Sequence, residues 1–307
     1  MDISRFIKIS DEVRESLSND KPVVALESTV ITHGLPYPEN LELSKEIQEE
    51  VRKFDAVPAT VAIIKGNIYI GVNDSQLEFL AKGMDVHKVS PRDIASVIAQ
   101  GGNGGTTVAG TMVLASPHGI RVFATGGIGG VHRHVLYRDV LHVDISADLT
   151  YLSKTPMIVI CSGAKAILDL SATLEILETL GIPVVGYQTD DFPAFYSKGS
   201  GLKTHIRADN PEEIVKLAQI HWELGQQSSI LVCVPPPEEV ALPYENIDSF
   251  IQQALIDAHQ MNIQGQAVTP FLLKRMNELT EGASLKVNIG LLLNNARVAA
   301  RIAKSLV

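Results

Sequence analysis

The stretch VALESTVITHGLP, residues 24–36, places a carboxylate, Glu27, directly after an apolar run that reads as a buried strand. An ionised carboxylate leaving a strand toward a protein interior costs free energy unless it is paired, hydrogen-bonded or used in chemistry. Outward from it, short β-branched runs recur at 22–27, 60–65, 67–72, 121–125, 157–161, 183–188 and 230–235. Between and beyond them lie segments of helical period around 38–54, 74–82, 91–100, 107–117, 165–180, 210–225, 246–262, 269–279 and 284–305. This alternation predicts an α/β fold with a largely parallel sheet. The runs at 60–65 and 67–72 meet at the short turn KGN, a hairpin signal that makes the sheet mixed. No Ser/Gly/Pro linker, low-complexity block or internal repeat divides the chain, so residues 1–307 are expected to form one three-layer α/β/α domain.

Composition narrows the function. The net charge of −9 argues against a sequence-independent grip on nucleic acid, which rewards clustered Lys and Arg. A small-molecule ligand fits better, because a local basic pocket still holds an anion inside an acidic protein. The two cysteines, Cys161 and Cys233, each sit in an apolar strand-like run and suggest neither a disulfide framework nor a Cys-based zinc site. They read as buried thiols of a reducing compartment. The N-terminus lacks the continuous apolar core of a signal peptide and no stretch has the length of a membrane span. A cytoplasmic enzyme with no membrane partner is the expectation.

In open α/β sheets, ligands sit outside the carboxyl ends of the parallel strands. Three unusual loops fall there: the one after Leu26, TGGIGG at 125–130, and SGAK at 162–165. Glu27 is either a structural hydrogen-bond hub satisfied by Ser28, Thr29, Thr32 and His33, or a general acid/base. Lys165 is either a solvated surface residue at a helix entry or a nucleophile, for which the small residues before it leave room. A helix entry suits a lysine poorly, since its charge opposes the helix dipole.

The segment QGGNGGTTVAGTMVLA at 100–115 offers a glycine hinge or an anion site, with Thr107 as N-cap and free amides starting at Val108. It lacks the order of a P-loop. HKVSPRD at 87–93 adds Lys88 and Arg92, candidates to neutralise a phosphate. GGIGG is followed by no full dinucleotide fingerprint, which argues against NAD. Residues 126–149 also collect His132, His134, His142, Asp144 and Asp148. DISAD at 144–148 sets two carboxylates around Ser146, either to hold Mg²⁺ or Mn²⁺ through oxygen ligands or to cap a helix.

Taken together, PVVALESTVITHGLP, AVPATVAII, KVSPRD, GTTVAGTM, VFATGGIGGVHR, DISADL, SGAKAILDL, GYQTDDFPAF, TPFLL and SLKVNI, in that order, resemble the pseudouridine-5'-phosphate glycosidase, or indigoidine synthase A-like, family over nearly the whole chain. The resemblance implies a one-domain α/β lyase, a divalent metal usually taken as Mn²⁺, and a homotrimer. It also implies reversible cleavage of the C–C glycosidic bond of pseudouridine 5'-phosphate to uracil and ribose 5-phosphate. Carried over by motif, the proton donor falls on Glu27 and the nucleophile on Lys165. Substrate contacts fall on Lys88, Thr107, Val108, Ser146, Ala147 and Asp148, pocket-lining residues on His132 and Asn288, and the metal carboxylate on Asp144. One departure from the family pattern is the span from His132 to Asp144, about four residues longer than usual.

Overall fold

The computed structural model describes residues 4–83, 85–133, 144–263 and 268–307. The first half runs β1 (Ile7–Ile9), α1 (Asp11–Ser18), β2 (Val23–Leu26), α2 (Thr29–His33), α3 (Glu39–Arg52), β3 (Val57–Ile64), β4 (Asn67–Ile70) and α4 (Asp74–Lys82). Then come β5 (His87–Val89), α5 (Ile94–Ala99), β6 (Gly104–Thr106), α6 (Val108–Ala115), β7 (Val122–Ala124) and β8 (Val131–His132). The second half holds α7 (Ala147–Leu152), β9 (Ile158–Cys161), β10 (Leu168–Asp169), α8 (Leu170–Thr179), β11 (Val184–Tyr187) and β12 (Ile206–Ala208). It closes with α9 (Pro211–Glu223), β13 (Ile230–Cys233), α10 (Tyr244–Gln260), α11 (Val268–Leu279) and α12 (Ala283–Leu306).

Among the described residues the main sheet runs β1-β4-β3-β2-β7-β9-β13-β11-β12, with β6 and β5 branching from β3. The strands β2, β9, β11 and β13 are buried along their whole length, as expected where helices cover both faces of a parallel sheet. The predicted hairpin closes at Lys65 and Gly66, both at positive φ (48° and 69°), and pairs β3 with β4 antiparallel. The sheet is therefore mixed. Helices α3 and α9 pack on α12, which lies across β2, β7 and β9, while α6 packs on α7, β2 and β3. No helix among the described residues is long and apolar enough to cross a membrane.

The topology fixes where a ligand can enter. From β2 the chain crosses through α3 to β3 on one side, and later returns to lay β7 on the other side of β2. Strand order reverses at the β2–β7 boundary, and such a switch point opens a crevice outside the strand ends. Leu26 pairs with Ala124, and Ala124 with Ile160, so the residues that leave β2, β7 and β9 do so side by side. Glu27 is the first residue beyond β2.

Candidate active site

Glu27 lies in that crevice, with the Thr125 hydroxyl donating a hydrogen bond to its Oε1. Its carboxyl is pushed above the ordinary glutamate range because burial outweighs the opposing pull of the Lys165 charge and the Thr125 hydrogen bond. It is thus biased toward the neutral acid. Lys88 is displaced downward, first by burial and then by repulsion from Lys165, so two amines and one carboxyl share a single electrostatic neighbourhood. All three line one cleft, walled also by His33, Gly126, Gly127, Phe195 and Asn288.

Lys165 is not at the start of a helix. The helical pattern after it is real, but α8 begins at Leu170, capped by Asp169, whose carboxylate accepts from Ala172 N–H at 2.9 Å. Before it, the chain continues the strand ladder: Ser162 N–H donates to Gly126 O, Ile128 N–H to Gly163 O, and Lys165 N–H to Ile128 O, at 2.9–3.1 Å. The loops after β7 and β9 are zipped together by backbone. Gly163 stands at φ 80°, and a Cβ at Gly127 would lie 2.7 Å from the Phe195 ring. A glycine is needed at both places. The conflict with the helix dipole disappears, because Lys165 projects from an extended loop.

The segments expected to bind phosphate sit near this cleft. Lys88 on β5 pairs in register with Gly105, and Thr107 N–H donates to Val89 O at 3.0 Å, which carries the chain straight into α6. Thr107 caps that helix through Gly110 N–H, as its sequence predicts. The Ala109 amide is bound by Asp148, while Val108 N–H has no acceptor among the described residues. A helix N-terminus with a free amide, near a half-buried lysine, has the chemistry that favours an anion.

The DISAD segment resolves into a capped helix. Ser146 Oγ accepts from Asp148 N–H, and α7 starts at Ala147. The buried Asp148 carboxylate accepts from Ala109 N–H at 2.9 Å and from Gly129 N–H at 2.8 Å, tying the start of α6 to the glycine loop. Asp144 is exposed, its carboxylate 3.9 Å from His132 Nε2. Burial lowers the His132 pKa against the pull of Asp144. The extra residues of the long span, with His134 and His142, lie outside the described residues.

The family model described as indigoidine synthase A like protein matches residues 12–305. The chain belongs to that family. A pseudouridine-5'-phosphate glycosidase of Caldanaerobacter subterraneus is 50% identical over 304 residues, covering 99% of this chain and 98% of the relative. Another, from Petrotoga mobilis, is 47% identical over 99% and 98% of the two chains. Among solved structures, a prealnumycin C-glycosynthase in complex with ribulose 5-phosphate superposes with a TM-score of 0.89 at 39% identity, covering 98% and 97%. An indigoidine synthase A-like protein of Thermotoga maritima gives 0.87 at 38% identity, covering 98% and 96%.

Within this indigoidine synthase A-like chain, Glu27, Lys88, Lys165 and Asn288 line one cleft, whereas Thr107, Val108, His132, Ser146, Ala147 and Asp148 are not among the residues that wall it, although Asp148 is near enough to act on the Glu27 carboxyl. Sequence reasoning passed over Thr125 and Asn295. The fully buried Asn295 of α12 donates from Nδ2 to Thr125 O at 2.9 Å and accepts from Ser162 Oγ at 3.3 Å, bracing the ends of β7 and β9. Its signal was an Asn inside the apolar stripe LLLNNARVAA. Asp148→Ala strands two buried amides, so it should cost about 2–5 kcal/mol of unfolding free energy by urea titration. A loss below about 1 kcal/mol would show that the carboxylate is not what joins α6 to the glycine loop.

Proposed function

We propose that this chain reversibly cleaves the C–C glycosidic bond of pseudouridine 5'-phosphate, giving uracil and ribose 5-phosphate, with Lys165 as covalent nucleophile and Glu27 as proton donor. The observation that carries this reading is the shared cleft, where a carboxyl biased toward its neutral form and the amines of Lys165 and Lys88 line one space. The glycosidases among its relatives support the substrate.

A C–C glycosidic bond offers no leaving heteroatom, so a pair of carboxylates is insufficient. In the proposed route the free amine of Lys165 bonds to C1' as the C1'–O4' bond breaks, and O4' takes its proton from Glu27. The ammonium nitrogen then gives a proton to the Glu27 carboxylate, its lone pair forms C1'=N while the C1'–C5 bond breaks, and C5 of the base takes that proton from Glu27. Water adds to the imine, releasing ribose 5-phosphate and restoring the amine. Lys88 and the Val108 amide hold the phosphate, turning remote binding energy into orientation at C1'.

The same proposal gives Asp144 to a divalent cation, Mn²⁺ or Mg²⁺. No cluster of three or more His, Cys, Asp or Glu suited to a metal occurs among the described residues, and both oxygens of Asp148 are engaged by amides. One exposed carboxylate suits a hard ion held otherwise by water and substrate oxygens. Such an ion supplies a Lewis acid to those oxygens. A homotrimer of the 33.2 kDa chain completes the proposal, and the test of it is the mass of the protein in solution.

Uracil release from pseudouridine 5'-phosphate in the presence of Mn²⁺ is the direct test. No release would leave a lyase acting on another phosphosugar, or a non-catalytic binder, as the alternatives. Unphosphorylated pseudouridine should be much the poorer substrate, and Lys88→Ala should reduce the preference for the nucleotide by about 1–3 kcal/mol, roughly 5- to 150-fold in kcat/KM. Equal turnover of nucleoside and nucleotide by the unaltered enzyme would remove the phosphate site.

A further inference from the structure

His33 ends the five-residue helix α2 and lines two cavities at once. One is the cleft of Glu27 and Lys165, and the other is a neighbouring space lined by Tyr196, Asn277 and Ser284. The imidazole is oriented from behind. Its Nδ1 lies 2.7 Å from Thr32 Oγ1, and that hydroxyl also lies 3.2 Å from Ser28 O, one helical turn back. If the hydroxyl gives its single hydrogen to Ser28 O it accepts from the ring, Nδ1 carries the proton and Nε2 is an acceptor; if it gives the hydrogen to Nδ1, Nε2 carries the proton. Burial, and after it the Lys88 charge, favour the neutral ring that either tautomer requires.

We propose that His33 holds its proton on Nδ1 and is a specificity residue for the leaving base, its Nε2 accepting a hydrogen bond from a ring N–H of the uracil. The inference rests on the proposed cleavage of pseudouridine 5'-phosphate and adds to it a reader for the base. Attached through C5, the base keeps N1–H and N3–H, both donors, so a fixed acceptor at the junction of the two cavities matches its chemistry. A lysine or a protonated histidine there would offer only donors and would repel those edges. A site that spends a buried acceptor on a substrate N–H also rejects analogues lacking it, because the acceptor is then left unpaired.

The experiment compares pseudouridine 5'-phosphate with its N1-methyl and N3-methyl analogues on the full-length enzyme and on His33→Ala. The unaltered enzyme should discriminate against at least one methylated analogue by 10- to 1000-fold in kcat/KM. In His33→Ala turnover of the parent should fall 10- to 100-fold, and the discrimination should shrink to within about threefold of unity, the signature of a lost pairwise contact. Thr32→Val, which frees the ring to change tautomer, should weaken discrimination in the same direction. Borohydride trapping of ribose 5-phosphate, which has no base, should be equal in all three proteins and so reports a folded lysine site. Discrimination that persists unchanged in His33→Ala overturns the proposal, as does an unaltered enzyme that processes both methylated analogues as well as the parent. Failure to release uracil from the parent nucleotide would instead overturn the reaction itself.

Discussion

Lys165→Ala abolishes uracil release, with kcat falling to the background of the assay, and with it disappears the mass increase that borohydride fixes on the enzyme in ribose 5-phosphate. The reasoning is covalent rather than electrostatic. An alanine removes the only atom in the proposed route that bonds to C1', and Lys88, spent on the phosphate, faces the same cleft without replacing it. Intact-protein mass spectrometry after reduction reads the adduct directly. An adduct of unchanged yield in Lys165→Ala would transfer the nucleophile elsewhere, with Lys88 the first to examine. The variant should fold, because Lys165 is held by its backbone, through its N–H to Ile128 O and its carbonyl to Leu168 N–H.

Glu27→Gln has an effect of the opposite sign on two observables. Turnover should fall by at least about 10²-fold, since the amide keeps the shape and the Thr125 contact but has no proton to give. Stability should rise. A carboxyl whose pKa is raised by folding holds its proton more tightly in the folded than in the unfolded chain. Between the two pKa values unfolding therefore releases a proton, and stability declines as pH climbs from the ordinary glutamate range near 4.5. The glutamine carries no such penalty. Urea titrations of both proteins at pH 5 and pH 8 should show the variant gaining on the parent as pH increases. A difference that is flat across this range would mean that Glu27 is not buried at the expense of its charge, and near-normal turnover would return it to a structural hydrogen-bond hub.

Much of the fold was legible because full burial leaves a plain mark. The runs that became β2, β9, β11 and β13 are continuous apolar stretches, and a glutamate straight after one of them stands out. What escaped has little local signal. The three-residue strands β5 and β6 read HKV and GGT, too short and too glycine-rich for any period, yet they carry Lys88 to the cleft. The helix α2 is built from TVITH, β-branched residues of low helix propensity, and only its packing on α3, α4 and β6 makes it helical. His33 was consequently visible as a residue but not as part of a wall. Lys165 was misplaced for the opposite reason: the pattern that follows it is helical, but the backbone ladder between the β7 and β9 loops captures the first residues before the helix can start.

The cleft has two kinds of wall. Glu27 and Lys165 stand on the ends of strands, braced from below by Asn295, whereas Leu273, Asn288 and Leu292 reach in from α11 and α12 across the opening. Residues on a helix face can be exchanged without altering strand register, so the aromatic partner of the sugar is free to drift in evolution while the amine and the acid stay fixed. Lineages descending from one such scaffold can inherit a common way of handling a pentose phosphate and diverge in what they join to it. A directed-evolution campaign seeking new carbon–carbon bonds would place its diversity at His33, Leu273, Asn288 and Leu292 and leave Glu27, Asn295 and the loops after β7 and β9 untouched.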